Sequence, residues 1–410
     1  MRWITTEEAA ARLGVKKETV YAYVSRGVLG RHRGPDGRSS AFSAAEVEAL
    51  AGRTRHGGRA GALEVVVASG LSLIEDDQLY YRGLPAAGLA MTTPFEAVAE
   101  WLWTGDESVL VRAPVWAAPA AAPVTRLPLG ADAVNRLRVI VASAAAGDEL
   151  RYDLEPASVV ATGRRLVGSM VMGLPVVGDE PVRPGPFPLA ARLWPRLAAG
   201  PPTRGLVATL NGALVLMADH ELAASTLAVR VAASMRADPY SVVSTGLGVM
   251  AGALHGAASR PVVDLLVETG DARRARRVVG ERLRRNERLP GLGHQVYREV
   301  DPRAETLLAA LRDLPLPGRR WSVVEAVLDL LTGRLPVPVN VDFALGAMVF
   351  AAGMEADAAE AMFSVARTAG WLAHALEEYA EPPVRFRPRA AYTGVRPSSG
   401  ANPAGVARRP

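Results

Sequence analysis

Apolar positions recur at helical spacing over most of the chain, and polar residues mark where each helix starts and stops. Near the N-terminus, Thr5 and Glu8 have the spacing of a capping box, so a helix is expected to begin there. Ala9 and Leu13 share one face and Gly14 is a natural stop. A second helix is expected from about Lys16 to Arg26, with Val20 and Val24 facing inward and Lys17 and Tyr21 on another face. GRHRGPDGRSSAF then reads as a β-hairpin around Pro35-Asp36-Gly37, with Arg31, Arg33 and Arg38 on its arms. Ser43 and Glu46 form a second capping box, opening a third helix through Leu50. Helix, glycine turn, helix and basic hairpin make a winged helix-turn-helix pattern over 1–52. Residues 53–61 are small and basic and read as a linker.

Beyond the linker every periodic segment is helical. Thr93, Pro94 and Glu96 read as a cap, a first-turn proline and a capping partner, followed by the stripe Phe95, Val98, Leu102. Helices are also expected over 131–146, 206–218, 222–235, 241–254, 322–332, 343–353 and 357–380. In 241–254, Gly246, Gly248 and Gly252 permit close helix approach. Segments 114–130 and 173–204 read as loops, and 396–410 as a disordered tail. No run of alternating residues reaches sheet size, so the body is expected to be all-α.

Composition narrows the chemistry. The chain has 410 residues, 49% hydrophobic and 22% charged, a globular balance sufficient for two or three domains. It contains no cysteine, which excludes disulfides, thiolate nucleophiles and zinc–thiolate sites. Neither a secretory leader nor a membrane span is expected, and the reading is cytoplasmic. The net charge of +5 is uneven: residues 1–60 hold 11 basic and 6 acidic groups, leaving 36 of each in the remainder. Both lysines, Lys16 and Lys17, lie in this first segment. A basic module of this kind suggests a polyanion such as double-stranded DNA, with Lys16, Lys17, Tyr21, Arg26, Arg31 and Arg33 as candidate contacts. A solvated charged face would have the same composition.

The body's candidate chemistry lies in a few short segments. His220 stands in ADHE, His255 in LHGAA and His294 at the end of PGLGH, each beside residues small enough to admit a ligand. These histidines are 35 and 39 residues apart with no short-range pair, which disfavours a metal. Hydrogen-bonding or acid–base roles suit neutral imidazoles better. Asp342 ends VNVD at a helix start. Arg298 and Arg303 follow His294, and Arg367 and Arg387 lie further on. Guanidinium forks match carboxylates, so several together could clamp a polycarboxylate. Taken singly, each of these residues also reads as a cap, a core group or a surface charge, and His374, inside an apolar helix, reads as structural.

Taken together they resemble a known family. GLSLIEDDQLYYRGLPAAGLAMTTPFEAVAEWLWTG, MADHELAASTLAVRVAASMRADPYSVV, GALHGAAS, LPGLGHQVYREVDPRA, VNVDFALG, ARTAGWLAHALEE and RPRAAYTG occur in the order of citrate synthases, over about 62–395. The resemblance implies an all-α fold with a small subdomain near 257–352, a homodimer, and no cofactor beyond coenzyme A as thioester substrate. It implies acetyl-CoA and oxaloacetate as substrates, with propionyl-CoA, giving 2-methylcitrate, as the alternative. By resemblance Asp342 is the base, His255 the donor to the thioester carbonyl, and His294 the group polarising the ketone. His220, Arg303, Arg367 and a partner subunit's copy of Arg387 contact oxaloacetate, and Arg298 a coenzyme A phosphate. Two departures bear on substrate preference: Ala223 and Ala224 follow HEL where the family often has asparagine, and only Arg334 precedes VNVD where many relatives carry lysine. The first module resembles helix-turn-helix domains of the MerR and excisionase type. A regulator whose body senses acyl-CoA or oxaloacetate is the other reading of this combination.

Overall fold

The computed structural model describes residues 3–13, 15, 17–25, 29–33, 40–44, 46–47, 66–112, 114, 116, 131–178, 187–252, 255–333, 335, 337–387 and 394. The chain divides into two compact units, Met1–Ala68 and Ser69–Pro410.

The first unit contains β1 (Trp3–Thr5), α1 (Thr6–Leu13), α2 (Lys17–Ser25), β2 (His32–Arg33) and β3 (Ser40–Ser43). The strands form an antiparallel sheet in the order β1-β3-β2, with Trp3 opposite Ser43 and His32 opposite Ala41. The first capping box forms as the sequence predicts: the Glu8 N–H donates to Thr5 Oγ1 at 3.2 Å and the Thr5 N–H to Glu8 Oε2 at 2.9 Å. The second forms only by half. The Glu46 N–H donates to Ser43 Oγ at 3.4 Å, but the Glu46 carboxylate accepts from Gly30 N–H at 3.2 Å and so ties in the segment after α2. Ile4, Ala9, Leu13, Val20, Leu29, Phe42 and Val47 close a small core. Lys16, Arg26, the expected turn at Pro35-Asp36-Gly37, Arg38, the linker and the tail 396–410 lie outside the described residues.

The second unit opens with a feature absent from the sequence reading. Strands β4 (Ser72–Glu75), β5 (Gln78–Tyr81) and β6 (Leu84–Pro85) make an antiparallel meander. Both of its turns are two residues long with positive φ throughout, 49° and 56° at Asp76-Asp77 and 41° and 88° at Arg82-Gly83. That geometry matches the right-handed twist of the flanking strands. The rest is helical: α3 (Ala86–Thr92), α4 (Phe95–Thr104), α5 (Ser108–Val111), α6 (Ala133–Ala146), α7 (Pro156–Gly173), α8 (Leu189–Leu193), α9 (Arg204–Met217), α10 (Ala224–Ser234), α11 (Pro239–Met250), α12 (Arg260–Thr269), α13 (Ala275–Arg284), α14 (Pro302–Arg312), α15 (Gly318–Thr332), α16 (Val341–Ala352) and α17 (Ala358–Ala380). The all-α expectation holds, with two small sheets added. Among the described residues, no helix is long and apolar enough to cross a membrane.

Several boundaries differ from expectation for identifiable reasons. Helix α4 is not capped by Thr93. Pro94 is its N-cap residue, Phe95 N–H donates to Asn211 Oδ1 at 2.8 Å, and Glu96 accepts instead from Leu189 N–H at 2.6 Å. Glu96 thus fixes the start of α8, inside a stretch that reads as a loop. Helix α11 starts at Pro239, behind the cap Asp238, and ends at Met250, short of Leu254. Helix α7 has no counterpart in the sequence reading, although Pro156 at its first turn is a start signal.

Helix α17 is the axis of the core, buried from Ala358 through Arg367 to Ala375 apart from Glu360, and packed against α9, α10, α11, α7 and α4. Two close approaches set its position. A Cβ at Gly246 of α11 would lie 2.6 Å from the Trp371 ring, so this glycine serves packing within the chain. A Cβ at Gly370 would lie 2.4 Å from Asp219 Oδ1 and 2.5 Å from the Ala218 carbonyl, while the Gly370 N–H donates to that carbonyl at 3.0 Å. Gly370→Ala should therefore destabilise the body by about 1–3 kcal/mol, the usual cost of overpacking a close contact. The urea-unfolding midpoint measures this, and an unchanged midpoint would contradict it.

Candidate active site

The turn after α9 carries the first site residue. Tyr81, fully buried on β5, donates toward the carbonyls of Val215, Leu216 and Asp219 at 2.9–3.2 Å and accepts from the Asp219 N–H at 3.3 Å. It closes the C-terminal end of α9, whose last carbonyls have no helical partner. The buried Asp219 carboxylate accepts from Ser72 Oγ at 2.6 Å and meets His374 Nε2 at 3.3 Å. Burial alone would push this carboxyl up. His374, Arg367 and Ser72 outweigh it and hold the group below the usual range. Next in sequence, His220 projects toward Tyr297, with Nε2 3.0 Å from the phenol oxygen.

Three rings form one cluster: His220 lies edge-on to His294 at 5.1 Å and to Tyr297 at 5.5 Å, and His294 is tilted on Tyr297 at 4.8 Å. Arg303 caps it, 5.0 Å above the Tyr297 ring. The buried Asp301 holds Arg303 through Nε at 2.9 Å and Nη2 at 2.8 Å, and also accepts from Val341 N–H at 3.0 Å. One carboxylate thus joins the start of α14 to the start of α16.

Helix α16 brings in Asp342. Its N-cap is Asn340, whose Oδ1 accepts from the N–H groups of Asp342 and Phe343 at 3.0 and 3.3 Å. Asp342 is therefore released from capping, and Ser259 Oγ–H donates to it at 2.8 Å. Burial pushes its carboxyl up, against the pull of Ser259 and Arg303. Asn340 also clasps the histidine loop, donating from Nδ2 to the Gly293 carbonyl at 2.9 Å and from N–H to Gly291 at 3.0 Å.

His255 lies on a second wall. Its Nε2 is 2.8 Å from Ser225 Oγ, which also accepts from Trp371 Nε1 at 3.3 Å, and its ring meets Phe363 edge-on. Arg367, buried 4.8 Å above Phe363, donates from Nε to the Met217 carbonyl at 2.9 Å. Its charge acts on both His220 and His255, joining the two walls electrostatically.

All three imidazoles are biased to the neutral form. His255 is pushed down to about 4, first by burial and then by Arg367. His294 is also pushed down to about 4, by burial and Arg303, with Asp301 pulling the other way. Burial, Arg303 and Arg367 hold His220 well below the ordinary imidazole value. The His294 Nδ1 accepts from Val296 and Tyr297 N–H at 3.1 and 3.4 Å, which places its proton on Nε2 as a donor. The site can thus offer hydrogen bonds from uncharged rings, accept a proton at Asp342, and hold anions between two buried guanidinium groups.

A citrate synthase C-terminal domain model matches residues 62–389. The chain belongs to the citrate synthase family. It is 35% identical to citrate synthase 2 of Bacillus subtilis over 53% of this chain and 59% of that protein, so this match spans under two thirds of the relative. It is 29% identical to a 2-methylcitrate synthase of Mycobacterium tuberculosis over 82% of this chain and 90% of that one. Its fold superposes on the ternary complex of carboxymethyl coenzyme A and oxaloacetate with citrate synthase from Thermoplasma acidophilum, at a TM-score of 0.65 and 23% identity, covering 81% of this chain and 95% of that one. A helix-turn-helix domain model matches residues 3–55.

Of the citrate synthase motif residues named from sequence, the structure gathers His220, His255, His294, Arg303, Asp342 and Arg367. Arg387 stands apart, exposed beyond α17, with no hydrogen bond or ion pair to the cluster. Arg298 is also exposed, on the rim of a groove of about 650 Å³ floored by Leu308, Leu328 and Val339. Its N–H and those of Glu299 and Val300 donate to Asp77 at the β4–β5 turn, at 2.7–3.2 Å. Sequence reasoning missed Tyr297, Asp301, Ser225, Ser259 and Asn340, which orient the gathered residues. Of these, Asp301 carried a signal as an acid before a first-turn proline, and Asn340 as a cap-type residue just before an apolar helix.

The histidines make stability depend on pH in a definite direction. Unfolded imidazoles titrate near 6.5, and folded His255 and His294 near 4. Between these values the unfolded chain binds protons that the folded chain does not, so stability is full above about 6.5 and falls as pH drops toward 4. His294→Gln should flatten that slope, as seen in unfolding midpoints at pH 7, 6, 5 and 4.5. An unchanged slope would mean that His294 is not held neutral.

Proposed function

We propose that the chain catalyses condensation of acetyl-CoA with oxaloacetate and water, giving citrate and free coenzyme A. The observation that carries this reading is one site that holds a half-buried carboxylate released from capping, uncharged histidines and two buried guanidinium groups. The acetyl methyl is a weak carbon acid, so its proton goes to Asp342 while His255 donates to the thioester carbonyl and stabilises the enol oxygen. His294 Nε2–H polarises the oxaloacetate ketone, and the enol carbon attacks it to form the new carbon–carbon bond. Water then cleaves the citryl thioester. Arg303, Arg367 and His220 hold the oxaloacetate carboxylates, and Arg387 completes that site in a partner subunit of a homodimer. The Arg298 groove receives coenzyme A, and residues 257–352 act as the small subdomain closing on the large one. Propionyl-CoA is the alternative acyl donor, since one methylene is worth only about 1–3 kcal/mol of discrimination.

Asp342→Ala should lower kcat by roughly 10²–10⁴, the usual worth of a positioned base, while oxaloacetate still raises the melting temperature. Release of free coenzyme A from acetyl-CoA and propionyl-CoA measures both turnover and preference. Near-normal kcat in this variant would remove Asp342 from its role.

The first unit favours a second activity, binding of double-stranded DNA. Helices α1 and α2 pack on each other, α1 also meets β1 and β3, and Arg31 stands 5.9 Å from the exposed Tyr21 ring. In this reading α2 enters the major groove, and Lys16, Lys17, Arg26 and Arg33 add to the phosphate contacts. Log affinity should fall with log salt at about −0.9 per phosphate contacted. Arg31→Ala should make that slope about one unit shallower and leave citrate formation unchanged. Titration of labelled genomic fragments at several salt concentrations tests this, and no binding at low salt would leave the unit as a protein-contact module.

A further inference from the structure

Helix α17 contains a buried polar chain that the chemistry above does not use. Arg230 of α10 is buried and donates from Nη1 to His374 Nδ1 at 2.9 Å and to Glu377 Oε2 at 2.7 Å, and from Nε to the buried Glu378 at 3.2 Å. A guanidinium has only donors. The His374 Nδ1 facing Arg230 therefore carries no proton, and the ring's single N–H is on Nε2. That nitrogen faces Asp219 Oδ2 at 3.3 Å, so His374 donates to Asp219. Asp219 immediately precedes His220, whose neighbour Glu221 has a φ of 47°, a strained value for a residue with a side chain.

We infer that His374 is a positioning residue for oxaloacetate binding: Arg230 fixes its tautomer, and its Nε2–H holds the Asp219 carboxylate so that the strained turn presents His220 to the site. Ser72 donates to the same oxygen at 2.6 Å and accepts from the Glu221 N–H at 2.9 Å, so it ties the carboxylate to the strained turn. The effect is specific to one substrate, because the chain ends at His220 and does not touch Asp342 or the groove beside Arg298. The inference rests on the reading that His220 contacts oxaloacetate.

The test compares His374→Leu, which removes both nitrogens, with His374→Gln, whose amide nitrogen can occupy the place of Nε2. With intact protein, KM for oxaloacetate should rise roughly tenfold or more in the leucine variant, the scale of losing a hydrogen bond to a charged group. KM for the acyl-CoA should stay within about twofold, a margin well under one such bond. The glutamine variant should recover most of the oxaloacetate affinity. Ser72→Ala, which leaves the His374 core intact, should raise the same KM in the same direction and serves if the leucine variant does not fold. An unchanged oxaloacetate KM in folded His374→Leu or in Ser72→Ala would overturn the inference, as would a KM in His374→Gln equal to that of leucine. His220→Ala separates the two levels. If it raises oxaloacetate KM while His374→Leu does not, only the positioning role fails. If it leaves that KM unchanged, the assignment of His220 itself fails.

Discussion

The site depends on a single buried carboxylate. Asp301 accepts from the N–H, Nε and Nη2 of Arg303 and from the N–H of Val341, four donors from the starts of two helices. Its charge is fully answered, which is the condition under which a buried ion is tolerated. Because Val341 begins the helix that bears Asp342, the position of the carboxylate assigned as base follows from that of the guanidinium above Tyr297. Removing one partner of such a pair leaves an unanswered charge, at a cost of about 3–5 kcal/mol.

The surrounding electrostatics follow the same logic. Two buried guanidinium groups and three desolvated imidazoles could not all be charged in so small a volume. The arginines cannot give up their protons, so the histidines remain neutral. Uncharged rings then act as hydrogen-bond donors whose direction is set by what occupies the other nitrogen. Backbone N–H groups do this for His294 and Arg230 does it for His374. In both cases a donor-only group on one side of the ring determines what the other side can do.

Much of this was legible in the sequence. Segments with a clear apolar stripe, such as 357–380, gave helices within a residue or two of those observed, and the motif order marked His220, His255, His294, Arg303, Asp342 and Arg367. What stayed hidden was partnership across long separations. Asn340 and Asp342 both look like caps, and only the folded loop shows that Asn340 takes the task and frees its neighbour. Thr93 and Glu96 have capping spacing, yet Asn211, 116 residues from Phe95, supplies the cap. Helix α7 was missed because its charged residues are confined to the pair Arg164 and Arg165, and the small residues Ala157, Ala161 and Gly168 occupy the same side, so its polar face is too faint to give a period. The β4–β5 turn was missed because two aspartates at positive φ are a weaker hairpin signal than asparagine–glycine.

That turn has an evolutionary consequence. Asp77 grips residues 298–300 through three backbone N–H groups, which every residue except proline possesses. The anchorage is therefore indifferent to which side chains stand at Arg298, Glu299 and Val300. These three positions border the groove and can vary almost independently of the fold. A lineage could exchange the charge or bulk at the groove's mouth by single substitutions while the backbone beneath keeps its course. The hairpin tip thus acts as a fixed mount for interchangeable parts, and the rim it holds can change at little cost to the backbone beneath.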